Sequence, residues 1–171
     1  MSLCEIRDVE PADAAPLTDI FNHYIEHAHS SFDEAPVSVE SIANWVGFYG
    51  AEGQHRLLVA VEAGTVVGYA SGSAYRAPHL AFRHTIEVSI QLAPGVRGRG
   101  IGTQLYAGLF DALQDQPIHR ALAGVALPNP ASVALHRRFG FREVGVFNEY
   151  AIKNGGYISS AWMEKAMNGE W

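Results

Sequence analysis

The sequence predicts an α/β (α+β) protein: a mixed sheet with helices on its faces. Three observations carry that prediction. Apolar and β-branched runs of strand length alternate with stretches whose apolar residues recur at helical spacing, in the order β-α-α-β-β-β-α-β-α-β-β. Two of the strand-like runs are joined around Ala63-Gly64, which makes them an antiparallel hairpin. A glycine-rich stretch, Val96-Arg97-Gly98-Arg99-Gly100-Ile101-Gly102-Thr103, stands between a strand and the most regular helical pattern in the chain. There is no internal repeat, linker or low-complexity segment, so the 171 residues read as one domain, 1–171, long enough to bury a substantial core.

Each element has its own signal. Leu3 to Val9 alternates weakly and reads as a first strand. Asp13 is placed to cap a helix in which Leu17, Ile20, Phe21, Tyr24 and Ile25 share one face, with Pro16 tolerated in the first turn. Ser38 opens a second helix with Ile42, Trp45, Val46 and Tyr49 on its apolar side. Arg56 to Glu62 and Thr65 to Ser71 form the hairpin, and Thr85 to Leu92 the next strand. The main helix runs from Ile101 to Gln114, followed by a strand from Arg120 to Leu127. A short helix from Ala131 to Phe139 is stopped by Gly140, and two closing strands are expected at Phe141 to Phe147 and Tyr157 to Met163.

Composition excludes several classes. Hydrophobic residues make up 48% and charged residues 18%, an ordinary globular balance. A net charge of −6 argues against a general nucleic-acid or anionic-membrane binder. The single cysteine, Cys4, excludes an intrachain disulfide and suits a reducing compartment. With no signal-peptide core and no membrane-length apolar run, the expected location is the cytoplasm. His23 and His27 share a helix face at i, i+4, but no third ligand accompanies them and no metal site is expected.

The glycine-rich stretch carries the chemistry. Glycines let the backbone turn tightly and approach a ligand closely, and the helix that follows offers unpaired N–H groups and the positive end of its dipole. The corner is suited to phosphate. Its spacing is Gly-x-Gly-x-Gly, neither the Gly-x-Gly-x-x-Gly of a dinucleotide site nor a P-loop.

Read from Arg97, the pattern Arg-x-x-Gly-x-Gly resembles the acetyl-CoA pyrophosphate loop of the GNAT N-acetyltransferases. Thr85-Ile86-Glu87-Val88-Ser89-Ile90, Ala126-Leu127-Pro128-Asn129-Pro130-Ala131-Ser132 and Leu135-His136 to Gly140-Phe141 resemble the phosphinothricin and methionine-sulfoximine acetyltransferase branch of that superfamily. The resemblance implies the GNAT fold, a mostly antiparallel sheet of about seven strands with helices on both faces, and acetyl-CoA as co-substrate. It also implies roles. Val88, Ser89 and Ile90 would hydrogen-bond the pantetheine as an added strand does. Arg97, Gly98, Arg99, Gly100, Ile101 and Gly102 would wrap the pyrophosphate. Asn129 and Ser132 would contact the coenzyme, cap the next helix, or both.

An amine attacks a thioester only when deprotonated, so a base is required. Glu87 lies where the branch carries its catalytic carboxylate and is assigned as general base; the plainer reading is a strand-edge ion pair. His136 is read as general acid or part of a proton relay, the alternative being a histidine packed in its helix. On the acceptor side the resemblance points to Tyr75, Arg76, Arg83 and Thr85, with Phe32 as a pocket wall. Arg76 or Arg83 would pair with a substrate carboxylate, or be solvated loop arginines. The acceptor implied is a small amino-acid-like amine of the phosphinothricin, methionine sulfoximine or methionine sulfone type. A polyamine, an aminoglycoside or a protein N-terminus keeps the same fold and cofactor, and a non-catalytic acyl-CoA sensor is the reading from another class. A homodimer is implied as well. The branch's usual His-Asp pair is here Ile158-Ser159, a departure that bears on substrate range and on the dimer contact.

Overall fold

The structure, a computed structural model, describes residues 4–167. Its elements are β1 (Glu5–Asp8), α1 (Ala14–His27), α2 (Val39–Val46), β2 (Arg56–Glu62), β3 (Thr65–Ala74), β4 (Thr85–Leu92), α3 (Ile101–Leu113), β5 (Arg120–Ala126), α4 (Pro130–Arg138), β6 (Arg142–Lys153) and β7 (Gly156–Ala166). Seven strands form one sheet in the order β1-β2-β3-β4-β5-β7-β6. Every neighbouring pair is antiparallel except β4 and β5. That parallel pair needs a crossover, and α3 supplies it.

The two-residue period of the strands sorts the core into two layers. Leu58, Ala60, Val67, Ala70, Ile86 and Val88 face α3, whose Ile101, Leu105, Leu109 and Leu113 are almost wholly buried. Leu57, Val59, Val66 and Tyr69 face the other way, against Leu17, Ile20 and Tyr24 of α1 and Ile42 and Val46 of α2. Each fully buried leucine contributes about 1.5–3 kcal/mol. The expected mixed sheet with helices on both faces is the one observed.

Some local expectations need correction. Asp13 stands at the N-terminus of α1 but does not cap it. Its buried carboxylate instead takes two hydrogen bonds from Arg7, at 2.7 and 2.9 Å, and one from the Glu10 N–H at 2.8 Å. Burial pushes that carboxyl upward, and the Arg7 and Glu10 hydrogen bonds outweigh it, leaving the group below its ordinary range. Ser38, by contrast, caps α2 as expected, accepting from the Ser41 N–H at 3.1 Å.

The closing strands run further than expected, to Lys153 and from Gly156, and join through Asn154-Gly155 with φ of 50° and 77°. An Asn-Gly pair with both residues left-handed is the preferred two-residue hairpin turn. The longer extent escapes a periodicity argument because β6 is an edge strand, exposed along most of its length, and carries no buried face to mark it. It also breaks register between Phe147 and Ala151. There Glu149 adopts φ 49° and gives its N–H to the Ser159 Oγ at 2.9 Å.

Candidate active site

The site begins where two strands part. β4 and β5 pair only through Thr85–Glu87 and Arg120–Leu122. Beyond Glu87 the strands diverge, while β4 stays paired with β3 as far as Leu92. The Thr85 carbonyl accepts from the Tyr75 N–H, and the Ala93 N–H donates to Val67, so these alternate positions point toward β3. The Val88 N–H closes the last pairing, with Leu122, and strand alternation turns the C=O of Val88 and the backbone groups of Ile90 and Leu92 into the gap. The result is a stretch of sheet edge inside the molecule, able to accept one more extended chain.

A cleft of ≈ 990 Å³ fills the gap. One end is the glycine loop. Gly98 and Gly100 have φ of 77° and 80°, a region costly for any residue with a Cβ, and the space a Cβ would occupy is open at both. Gly100 is the N-cap residue of α3 and brings no capping side chain, so the first N–H groups of that helix are left for a ligand. Arg97 lines the cleft beside them, whereas Arg99 turns away and binds Glu62 at 2.7 Å, outside the lining. Ile101 and Gly102 also line it, Gly102 lying close to the Leu135 side chain. This end fits the pyrophosphate of a coenzyme: open backbone, a helix N-terminus and a guanidinium.

The opposite wall comes from the start of α4. Asn129 caps that helix, its Oδ1 accepting from the Ser132 N–H at 3.2 Å, and both residues line the cleft. His136, one turn further, is buried. Its Nδ1 lies 2.8 Å from the Ser132 carbonyl and its Nε2 2.8 Å from the Tyr106 hydroxyl. A carbonyl can only accept, so Nδ1 carries the proton and Nε2 accepts from Tyr106. Desolvation lowers the His136 pKa, which agrees with a neutral ring. Held this way, the ring has no spare proton to give.

Glu87 stands at the fork, immediately before Val88. Its cross-strand neighbour is Ser73, and it shares a sheet face with Ser89 and Gln91, the face covered by α1 and α2. Burial raises the pKa of the Tyr49 hydroxyl, and Ser71 and Ser73 on that same face offset part of the shift. Burial pushes the Glu87 carboxyl above its ordinary range, and among the described residues no ion pair offsets the shift.

The other acceptor-side residues lie outside the cleft lining, past the Glu87 end of β4. Tyr75 packs edge-on against Phe82 at 5.4 Å, with the Arg76 guanidinium over both rings. Arg83 donates to the Leu80 carbonyl, and Thr85 starts the strand. Phe32 meets Tyr150 edge-on at 6.1 Å across the loop after α1. That loop is held by a residue that sequence reasoning gave no structural role. The buried Lys153 Nζ donates to the Ala28 and Ser31 carbonyls at 2.9 and 2.8 Å, and Glu34 accepts from the Asn154 N–H. Such a long-range clamp leaves no mark on local periodicity. Among the described residues no group of three or more His, Cys, Asp or Glu side chains could hold a metal ion, and no helix is long and apolar enough to cross a membrane.

A sheet forked between two parallel strands, with a glycine loop and helix N-terminus at its mouth, can take an extended ligand that carries phosphate. The sequence model of the acetyltransferase (GNAT) family matches residues 17–141, and the chain belongs to that family. It is an acetyl-CoA-dependent N-acetyltransferase. The chain is 43% identical to a phosphinothricin N-acetyltransferase of Streptomyces coelicolor, over 95% of its own length and 96% of the relative's. It is 31% identical to an L-methionine sulfoximine/L-methionine sulfone acetyltransferase of Pseudomonas aeruginosa, over 93% and 92%. Among solved structures, a GNAT-superfamily phosphinothricin acetyltransferase from Sinorhizobium meliloti in complex with acetyl-CoA superposes with a TM-score of 0.89. The two are 30% identical over 97% of this chain and 89% of that one.

Proposed function

We propose that the chain, acting as one domain, acetylates the amine of a small amino-acid-like acceptor of the phosphinothricin, methionine sulfoximine or methionine sulfone type, with Glu87 as general base. One observation carries the reading: among the described residues no carboxylate lines the cleft, and Glu87 is held half-buried at the fork beside it. A polycationic acceptor needs several carboxylates to offset the desolvation of its charges. Of the two acids in the early loop that could help, Glu34 is already engaged with Asn154. The relatives named for phosphinothricin and for methionine sulfoximine and sulfone span nearly the whole chain, which supports the same acceptor class.

Bound acetyl-CoA supplies an activated thioester. Val88 and Ile90 hold the pantetheine through their gap-facing backbone. Arg97 and the N–H groups after Gly100 hold the pyrophosphate, and Asn129 and Ser132 flank it. Glu87 removes a proton from the acceptor amine, whose nitrogen then forms the C–N bond as the C–S bond breaks. The departing thiolate, with a thiol pKa of about 8.5, leaves without an obligatory acid. His136 orders the start of α4 through the Ser132 carbonyl. Arg76 and Arg83, beyond Glu87, are the groups available for the acceptor's carboxylate.

The test offers acetyl-CoA with methionine sulfone, methionine sulfoximine, phosphinothricin, spermidine, an aminoglycoside and an alanine-terminated peptide in parallel. The sulfone and sulfoximine are expected to react best. Amidation of their carboxylate is expected to lower kcat/KM about ten-fold or more, the scale of one charge-assisted pair. Preference for spermidine or the peptide would contradict the assignment.

The same reading includes a homodimer. The edge strand β6 exposes Val144, Val146, Phe147, Tyr150 and Ile152, and Tyr157 lies across the turn, more apolar edge than monomers usually leave open. Sedimentation at micromolar concentration should give a dimer, and Val146→Lys with Ile152→Lys a monomer; a wild-type monomer would refute it. The single cysteine, Cys4, supports a cytoplasmic location.

A further inference from the structure

The pyrophosphate end of the cleft holds a contact that joins α1 to the glycine loop. Arg97 Nη2 lies 2.9 Å from the Tyr24 hydroxyl, and that hydroxyl lies 2.7 Å from the carbonyl of Leu92, the last residue of β4. The directions are fixed by chemistry. A carbonyl only accepts and a guanidinium only donates, so Tyr24 donates to Leu92 and accepts from Arg97. The Arg97 guanidinium also lies over the Tyr24 ring, 5.6 Å from its centre. Tyr24 is buried, and Tyr24, Leu92 and Arg97 all line the cleft.

The Leu92 carbonyl is one of the gap-facing groups of the splayed strand. Tyr24 therefore closes that edge at its outer end and leaves Val88 and Ile90 as the part open to a ligand. The same hydroxyl fixes where the arginine stands. An arginine otherwise loses considerable rotamer freedom on engaging a phosphate, and holding it in place beforehand lowers that cost.

We propose that Tyr24 is a positioning residue for the coenzyme's anionic end. It presets Arg97 for the pyrophosphate, its own hydroxyl being oriented by the Leu92 carbonyl. The inference rests on the reading of Arg97 as a pyrophosphate ligand. Periodicity marks Tyr24 only as a core position, and a phenylalanine would satisfy that pattern equally.

The experiment compares wild type with Tyr24→Phe, Arg97→Gln and the double variant. Calorimetry gives acetyl-CoA affinity, and turnover is followed with acetyl-CoA and with S-acetylpantetheine, which lacks the phosphates. Tyr24→Phe is expected to weaken acetyl-CoA binding roughly 5- to 10-fold, the net effect of one ordinary hydrogen bond, with kcat and acceptor KM unchanged. Turnover of S-acetylpantetheine should not change, and in the Arg97→Gln background the tyrosine substitution should have little further effect. If Arg97→Gln weakens binding while Tyr24→Phe leaves it intact, Tyr24 has no positioning role. If Tyr24→Phe lowers turnover of both donors equally, or its effect adds in full to that of Arg97→Gln, its role is general to the fold and the proposal is overturned. Unchanged affinity in Arg97→Gln would instead refute the pyrophosphate assignment itself.

Discussion

Glu87→Gln is expected to lower kcat by about 10²–10⁴, the usual contribution of a general base, with little change in acetyl-CoA affinity. The side chain keeps its size and its place beside Ser73 and loses only the ability to take a proton. The pH dependence follows from the direction of its shift. Burial raises the Glu87 carboxyl above its ordinary range, so the ionised form needed for catalysis is lost as pH falls through that raised value. The acid limb of the wild-type rate profile should therefore lie above the ordinary carboxylate range, and the glutamine variant should lack it. Stability has the opposite sign. A carboxyl whose pKa is raised on folding costs stability when ionised, at pH above its folded value, so the variant should be no less stable than wild type at neutral pH. A variant at wild-type rate would assign proton removal to another group. His136→Ala should cost less in kcat, because that ring is neutral and has both nitrogens engaged.

Much of this arrangement was legible in the residues themselves. The strand at Thr85 to Leu92, the helix from Ile101 and the hairpin at Ala63-Gly64 follow from period and turn chemistry, and their observed limits agree to within three residues. The loop proposed for the coenzyme is legible because it is local: Arg97 to Gly102 is a single stretch, and a positive φ at Gly98 and Gly100 needs only glycine. Contacts between distant segments are not legible in this way. The Tyr24 hydroxyl reaches Leu92 and Arg97 across about seventy residues of chain, and Lys153 reaches back to Ala28. Nothing in the neighbourhood of either residue signals it. Arg99 shows the converse. Its motif position suggests a phosphate ligand, and Glu62, brought in by the β2–β3 hairpin, takes its guanidinium instead.

Gly100→Val is expected to abolish measurable acetyl-CoA binding. Two effects combine. The residue sits at φ 80°, where a β-branched side chain is strained, and its Cβ would project into space now open to the ligand. The backbone strain of about 1–3 kcal/mol is small against typical domain stability, so the variant should remain folded. The decisive loss is the close approach of phosphate to the first N–H groups of α3. Neutralising Arg97 and Arg99 together should weaken binding less and in a salt-dependent way, because exposed charges are screened. Unchanged affinity in a folded Gly100→Val protein would refute the assignment of the loop.

The central claim is that coenzyme lies as an added strand in the gap between β4 and β5. Amide hydrogen exchange of the wild-type protein, with and without saturating acetyl-CoA, tests it most directly. The gap-facing N–H of Ile90 should exchange more slowly when acetyl-CoA is present, together with those of Ile101 and Gly102 at the start of α3. The N–H groups of Glu87 and Ser89, which face β3, should change much less. Protection confined to another surface, with Ile90 exchanging as fast as in the free protein, would contradict the account.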